Sequence, residues 1–293
     1  MPPGSHAAEQ PWEIPGSAGR PVLGTCRRPD PDPAAESPLA CVSIAHGFKG
    51  FMDYGMFPRI ARELAAAGCL VHRFNFSHSG MTRETERFAR PDLFEADTWN
   101  RQVDDLAAID AAIDDGRLAG AGRPRIWVGH SRGGVAVILA AGRGRLGRVD
   151  GIASIAAPAE ACRLAEADRA RLRREGFLPS PSSRTGQDLR VGRDWLEEIE
   201  ADPVGHDPCV QIGRVSAPTL VIHGEADETV PVADAERLAA AAGGRCRLVR
   251  LPGANHVLGV VHPLAEDAPT PPPLRRAIDE LRAFVRDAAG AGD

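Results

Sequence analysis

Three polar residues of the types that together activate a hydroxyl for nucleophilic attack occur in the order Ser131, Asp227 and His256. A serine hydroxyl is a poor nucleophile at neutral pH, so it needs a base within hydrogen-bonding reach. The base in turn needs an acid that fixes its tautomer and stabilises its charged form. These residue types predict acyl transfer through a covalent acyl-serine, with Ser131 as nucleophile, His256 as base and Asp227 as the orienting acid.

The sequence around Ser131 has the form of a strand–turn–helix elbow. The apolar run Ile126 to Val128 leads into Gly-His-Ser-Arg-Gly at 129–133, and a helix-like segment, Val135 to Ala141, follows. The turn must be sharp, which requires very small residues two before and two after the serine, and both positions are glycine. A glycine-rich turn can also reflect tight packing alone, so the motif needs support from the rest of the chain.

The candidate site residues follow predicted strands. His46-Gly47-Phe48 ends the apolar run Leu39 to Ala45, and Asp227 and His256 come shortly after two later strands. In a parallel sheet, the carboxyl ends of the strands lie on one rim, where ligands bind. The backbone N–H groups of Phe48 and Arg132 are expected to form the oxyanion hole, so changes of either side chain should have modest effects.

Strands that alternate with helices predict an α/β protein with a mostly parallel, doubly wound sheet. We expect the core to comprise residues 11–158 and 215–290, with an antiparallel edge hairpin near its start. Residues 159–214 show helical, charged segments and no strand signal, which predicts a short helical lid insertion. Residues 1–10 are expected to be disordered, and 28–38, rich in Pro and Asp, to form a loop.

Four motifs together resemble the α/β-hydrolase superfamily, nearest its dienelactone-hydrolase-like and serine-aminopeptidase-like serine esterases. They are His-Gly-Phe-Lys-Gly at 46–50, Gly-His-Ser-Arg-Gly at 129–133, His-Gly-Glu-Ala-Asp-Glu-Thr-Val-Pro at 223–231 and Gly-Ala-Asn-His at 253–256. The resemblance implies a Ser-His-Asp triad without a cofactor. Dienelactone hydrolases themselves use a cysteine nucleophile, so the family label says little about the substrate.

Two of the triad positions have competitors nearby in the sequence. Asp227 shares its loop with Glu225 and Glu228, and the motif position favours Asp227. His256 competes with His262, which precedes a proline and is more typical of a structural or pocket-wall histidine.

Further histidines, His46, His78 and His130, are candidate pocket residues beside His262. His46 is expected to brace the loop at 46–50 that carries Phe48, called here the oxyanion loop, and His130 to pack beside the serine. The histidines lack metal-ligand spacing, so we expect no metal. The arginines at 163, 169, 171, 173 and 174 are more simply explained by an exposed helix face than by an acidic substrate.

Composition excludes several classes of function. With 35 basic and 40 acidic residues the net charge is −5, and no basic stripe suggests a nucleic-acid surface. The N-terminus lacks a signal-peptide pattern, no apolar run approaches a membrane span, and six scattered cysteines form no C-x-x-C pair. We therefore expect a cytoplasmic protein, monomeric or homodimeric, that acts on a small molecule. Lys49 is the only lysine, which we attribute to compositional bias.

The function expected from the sequence is cleavage of carboxylic esters or thioesters of small soluble acyl compounds. A second hypothesis is peptide hydrolysis of the aminopeptidase type, which requires an acidic group that holds the substrate amine. Glu160 or another lid carboxylate is available for that role. A third hypothesis is a hydrolase-like protein that only binds a ligand, but such a protein does not need the full set of Ser131, Asp227 and His256.

Overall fold

The computed structural model describes residues 9–29 and 38–290. Its strands are β1 (Gln10–Pro15), β2 (Pro21–Arg27), β3 (Cys41–Ala45), β4 (Leu70–Asn75), β5 (Arg125–His130), β6 (Gly151–Ile155), β7 (Phe177–Pro179), β8 (Arg190–Gly192), β9 (Thr219–Gly224) and β10 (Cys246–Leu251). Its helices are α1 (Phe57–Ala66), α2 (Pro91–Glu95), α3 (Trp99–Asp114), α4 (Arg132–Gly142), α5 (Glu166–Glu175), α6 (Asp194–Ala201), α7 (Pro208–Arg214), α8 (Val232–Ala242) and α9 (Pro272–Ala288).

Eight strands form one sheet in the order β1-β2-β4-β3-β5-β6-β9-β10. The first two pairings, β1 with β2 and β2 with β4, are antiparallel, and the remaining pairs are parallel. The expected edge hairpin is therefore present, and the α/β fold with a mostly parallel sheet is confirmed. The strand ends after β3, β5, β9 and β10 lie on the same rim because these four strands run in one direction.

Helices cover both faces of the sheet, as continuous apolar strands require. On one face, α3, α4 and α8 pack with residues such as Trp99, Ile138 and Leu238. On the other face, α1 and α9 contribute apolar stripes that include Ile60 and Ile278. The inner strands β3 and β5 are buried along their whole length, so the sheet is a rigid base for the loops at its rim.

A buried carboxyl group fixes the loops at the antiparallel end of the sheet. Asp105 on α3 accepts hydrogen bonds from the backbone N–H of Ser17 at 2.7 Å and of Ser77 at 2.8 Å, and from the hydroxyl of Ser77 at 2.9 Å. Burial raises the pKa of Asp105 to about 7, although these donors oppose the shift. The turn between β1 and β2 is thereby held to α3.

The region between β6 and β9 contains α5, the small antiparallel hairpin β7–β8, α6 and α7. The sequence showed no strand there, since three-residue strands are too short to give a periodic signal. Helix α7 packs in the core against α4 and α8, and Gln211 approaches so closely that a Cβ on Gly142 would lie 2.3 Å from its carbonyl oxygen. The part of this region outside the core layer therefore ends before α7.

Two expectations fall largely outside the described residues: disorder of residues 1–10 and the loop at 28–38. Within residues 9–29 and 38–290, no helix is long and apolar enough to cross a membrane.

Candidate active site

Ser131 occupies the sharp turn between β5 and α4. Its backbone has φ 52° and ψ −122°, a conformation that is costly for a residue with a side chain. Its N–H donates to the carbonyl of Ile155 on β6 at 2.8 Å, and its hydroxyl makes no capping hydrogen bond to the helix. The strain is held by the sheet, and the Ser131 hydroxyl is left available for another partner.

The glycines on either side of this turn allow backbone segments to approach closely. A Cβ on Gly129 would lie 2.3 Å from the carbonyl oxygen of Gly133. A Cβ on Gly133 would lie 2.4 Å from the carbonyl oxygen of His46 and 2.5 Å from that of Ala45. Because real Cβ atoms essentially never come within 3.0 Å of such atoms, only glycine fits either position, and α4 lies directly against the end of β3.

This close approach brings the loop after β3 beside the N-terminus of α4. Phe48 is in that loop, and Arg132 is the first residue of the helix. The first N–H groups of a helix have no intrahelical acceptor, and the helix dipole places partial positive charge there. The backbone N–H groups of Phe48 and Arg132 are thus on the two segments that border Ser131.

The side chain of Arg132 connects these two segments. Its guanidinium carbon lies 4.5 Å from the ring centroid of Trp99 and 5.5 Å from that of Phe48. Its Nη2 atom lies 3.1 Å from Oδ2 of Asp97. Burial raises the pKa of Asp97 to about 6, and Arg132 opposes that rise. The buried ion pair and the flanking rings fix the helix residue and the loop residue relative to each other.

His256 and Asp227 are in direct contact. Nδ1 of His256 lies 2.8 Å from Oδ2 of Asp227, so the ring donates through Nδ1 and its Nε2 is free to accept a proton. The other carboxylate oxygen accepts from the backbone N–H groups of Thr229 and Val230, at 2.8 and 2.9 Å. His223 Nε2 lies 3.3 Å from Oδ2 of Asp227. The carboxylate is held in one orientation, as an orienting acid needs to be.

The electrostatics of this carboxylate suit that role. Burial alone would raise the pKa of Asp227, but the hydrogen bonds from His223, His256 and the Val230 N–H outweigh it and hold the pKa well below the usual range. The neighbouring carboxylates of Glu225 and Glu228 are exposed, whereas Asp227 is buried. Of the three acidic residues in this loop, the structure brings Asp227 to a histidine.

His130, next to the serine, fixes the loop that carries His256. Its Nε2 donates to the carbonyl oxygen of His256 at 2.9 Å, and the two rings lie 4.9 Å apart. Burial, reinforced by the nearby His256, lowers the pKa of His130 to about 3. A neutral His130 supports the position of His256 without competing for its proton.

Ser131 and His256 open onto a common cavity of about 200 Å³. Four short segments line it, namely residues 47–50, 130–131, 182–184 and 256–257, together with Tyr54 and Phe57. A second recess, lined mainly by apolar residues of the insertion, adjoins it at Phe48, which lines both. The residues predicted to act as nucleophile and base are therefore exposed to the same small volume.

Three other predicted pocket histidines do not line this cavity. His46 is neutral, with its pKa lowered to about 4 by burial, and its Nδ1 donates to the carbonyl of Gly47. His78 is held by Ser77 at 2.8 Å and by Arg101 at 2.5 Å. The Nδ1 of His262 accepts from the N–H of Gly55, and its ring stacks on Tyr54 at 4.7 Å. These histidines support neighbouring loops and, in the case of His262, a cavity wall.

The insertion's arginines pair locally. Arg163 pairs with Asp234, Arg171 and Arg174 with Glu175, and Arg173 with Glu166 and Glu200. Arg169 donates to a backbone carbonyl. In residues 9–29 and 38–290, no group of three or more His, Cys, Asp or Glu is arranged to hold a metal ion.

Several cavity residues were not identified from the sequence. Tyr54, Ser182, Ser183 and Arg184 line the cavity, but they lie in loops that carry no motif and reach the site only through the fold. Lys49 also lines the cavity. The sequence shows that it is the only lysine, but not that it lies at the site.

Comparisons with known proteins agree with this architecture. A family model described as the alpha/beta hydrolase family matches residues 44–268. The esterase domain of a Rhodothermus marinus protein is 21% identical with a TM-score of 0.64, covering 96% of this chain and 98% of that one. Est1E from Butyrivibrio proteoclasticus is 16% identical with a TM-score of 0.66, covering 96% and 99%.

A puromycin-hydrolyzing peptidase of Mycobacterium tuberculosis is 19% identical with a TM-score of 0.66, and the match covers 98% of this chain and 40% of that one. At these identities the structural likeness shows the fold alone. No curated protein sequence matches the chain. The family model, which spans most of the chain, decides the assignment: the protein belongs to the alpha/beta hydrolase family.

Proposed function

We propose that this protein is a serine hydrolase that cleaves carboxylic esters or thioesters of small acyl compounds. Ser131 is the nucleophile, His256 the general base and acid, and Asp227 the residue that orients His256. The backbone N–H groups of Phe48 and Arg132 bind the oxyanion. The observation that carries the proposal is the 2.8 Å contact of His256 with Asp227 beside a cavity that also contains the strained Ser131.

The reaction follows from these positions in two halves. Oγ of Ser131 attacks the acyl carbon while Nε2 of His256 takes the hydroxyl proton, and the carbonyl oxygen becomes an oxyanion. Collapse of this intermediate breaks the bond to the alcohol or thiol, which leaves with the proton from His256. A water molecule then attacks the acyl-serine by the same route and releases the acid.

The charge of the cavity favours esters over aminopeptidase substrates. An aminopeptidase needs a carboxylate that holds the free amine, and no aspartate or glutamate lines the cavity within the described part of the chain. Glu160, the candidate from the sequence, pairs with Arg237 at 2.6 Å and does not line the cavity. The similar solved structures include both esterases and a peptidase, so they do not decide between the two reactions.

The first experiment requires no choice of substrate. The protein is incubated with a fluorophosphonate probe, and the adduct is located by peptide mass spectrometry. We expect stoichiometric modification of Ser131 that H256A abolishes. S183A is the matched control, since Ser183 is a serine in the same cavity, and H262A tests the competing histidine; both variants should be modified normally.

A folded protein with no adduct on Ser131 would contradict the proposal, as would an adduct that survives H256A. The ligand-binding hypothesis would then be favoured. Turnover is tested next with p-nitrophenyl acetate and butyrate against an S131A control, beside aminoacyl anilides. Hydrolysis of the anilides in preference to the esters would favour the peptidase alternative.

A further inference from the structure

The cavity that contains Ser131 carries a local excess of positive charge. Lys49 and Arg184 line it, and within residues 9–29 and 38–290 no carboxylate does. The whole chain has a net charge of −5. The positive lining is therefore a property of this site and does not follow from overall composition.

Lys49 is held at the cavity by its backbone and by the insertion. It adopts φ 57°, which favours glycine over a residue with a side chain. Its ammonium donates to the carbonyl oxygen of Pro181 at 2.7 Å and lies 5.3 Å from the centroid of the Phe48 ring. Since an ammonium group has three N–H donors, the bond to Pro181 leaves two for a ligand.

Arg184 approaches from the insertion. Its guanidinium lies 4.8 Å from the centroid of the Phe51 ring and 5.2 Å from that of Phe88, and Nη1 donates to the carbonyl of Thr85 at 2.9 Å. Its Nε is buried and has no hydrogen-bond partner in the described part of the chain. No ion pair within that part involves the side chain of Arg184 or of Lys49.

Glu86 is near enough to interact with Arg184 electrostatically, but it does not line the cavity. Two cations in the lining of a partly enclosed cavity, with no carboxylate in that lining, attract an anion and repel a cation. Charge-assisted hydrogen bonds from an arginine or a lysine to a carboxylate are among the stronger polar contacts in proteins. We propose that Lys49 and Arg184 form an anion subsite beside Ser131, so that the preferred substrate is an ester that carries a free carboxylate. This inference rests on the proposed function and specifies its substrate class.

The kinetic test uses two matched pairs of esters. 4-Acetoxybenzoate and its methyl ester place the charge, or its absence, in the alcohol half; monomethyl adipate and dimethyl adipate do so in the acid half. We expect the charged member of at least one pair to have the higher kcat/KM, with a preference that falls as salt is added. The pair that shows the preference identifies the half of the substrate that contacts the subsite.

The variants K49M and R184Q should each lower the ratio of kcat/KM for the preferred charged ester to kcat/KM for its neutral partner about tenfold or more. K49M also removes the bond to Pro181, so R184Q provides the independent measurement and R184K should restore part of the preference. R190Q is the control, because Arg190 is an exposed arginine of the same insertion that does not line the cavity.

Faster hydrolysis of the neutral ester in both pairs would overturn the inference, as would an equal loss in R190Q. Binding separates this failure from failure of the proposed function. S131A is titrated calorimetrically with 4-acetoxybenzoate, monomethyl adipate and their methyl esters. At least one charged ligand should bind more tightly than its methyl ester, and the double variant S131A/R184Q should lose this difference. If no ester is hydrolysed but this preference in binding holds, the subsite stands and the catalytic proposal fails.

Discussion

Replacement of Gly133 by alanine tests the closest backbone approach at the site. The new methyl group would lie 2.4 Å from the carbonyl oxygen of His46 and 2.5 Å from that of Ala45. To reach even 3.0 Å, backbone must move by about 0.6 Å, because neither neighbour is a flexible side chain. Alanine gains about 1 kcal/mol of helix propensity over glycine, but overpacking of this kind costs about 1–3 kcal/mol.

The displacement is transmitted directly to the oxyanion loop, since Phe48 follows these two carbonyls in the chain. Misplacement of a reacting geometry by about 1 Å costs about 100-fold in rate. We therefore expect G133A to lower kcat/KM for a p-nitrophenyl ester about 100-fold, and the free energy of unfolding in urea to fall by about 0–2 kcal/mol net.

G244A is the matched control for this substitution, because a Cβ at Gly244 meets nothing within 4 Å. It should leave both the kcat/KM and the free energy of unfolding close to those of the wild type. A G133A enzyme within about threefold of wild-type kcat/KM would refute the argument that this contact fixes the oxyanion loop.

Three further predictions concern single side chains. D227N should lower kcat/KM about 10³- to 10⁴-fold in ester hydrolysis, because an amide does not hold the imidazole in the required tautomer; an unaffected D227N, or an equal loss in the exposed E225Q, would contradict that role. F48A keeps its backbone N–H, so we expect only a modest loss of kcat in the same assay. A loss of more than about 100-fold, the cost of a lost oxyanion donor, would show that the side chain itself contributes. The raised pKa of Asp105 means that the folded state retains a proton that the unfolded state loses above about pH 4, so the contribution of this one group to stability falls as the pH rises towards about 7. The free energy of unfolding of D105N in urea should therefore rise relative to that of the wild type between about pH 5 and pH 7, and a difference that does not change with pH would exclude this role of Asp105.

Much of the sheet was predictable because its strands are continuous apolar runs bounded by glycine or polar residues. The run before Gly129 and the run before His46 both became buried strands. By contrast, α2 has only five residues, and the three-residue strands β7 and β8 are too short for a periodic pattern. Helix α7 is preceded by a local signal, since Asp207 caps it and Pro208 opens it, so its start is encoded in the sequence.

The residues of the candidate site also fall into a group that local sequence motifs identify and a group that they do not. The elbow and the Asp227–His256 loop segments carry local motifs, so the sequence named the residues that the structure brings together. The cation Arg184 reaches the cavity from an insertion with no motif, and its position depends on contacts with rings far away in the sequence. Pairings of that kind depend on tertiary packing, which local sequence patterns do not encode.

The direct pairing of β6 with β9 has an evolutionary consequence. Ile155 is in register with Ile222, so β6 and β9 are neighbours in the sheet. The segment that connects them does not interrupt the pairing of the strands. The part of that segment before α7 can therefore be exchanged between related genes without a change in strand register, since surface loops tolerate such replacement. A transplanted segment would still have to supply a backbone carbonyl where Pro181 meets Lys49 and a donor for the carbonyl of Thr85, as Arg184 does, so recombination is constrained where the segment meets the rim of the sheet.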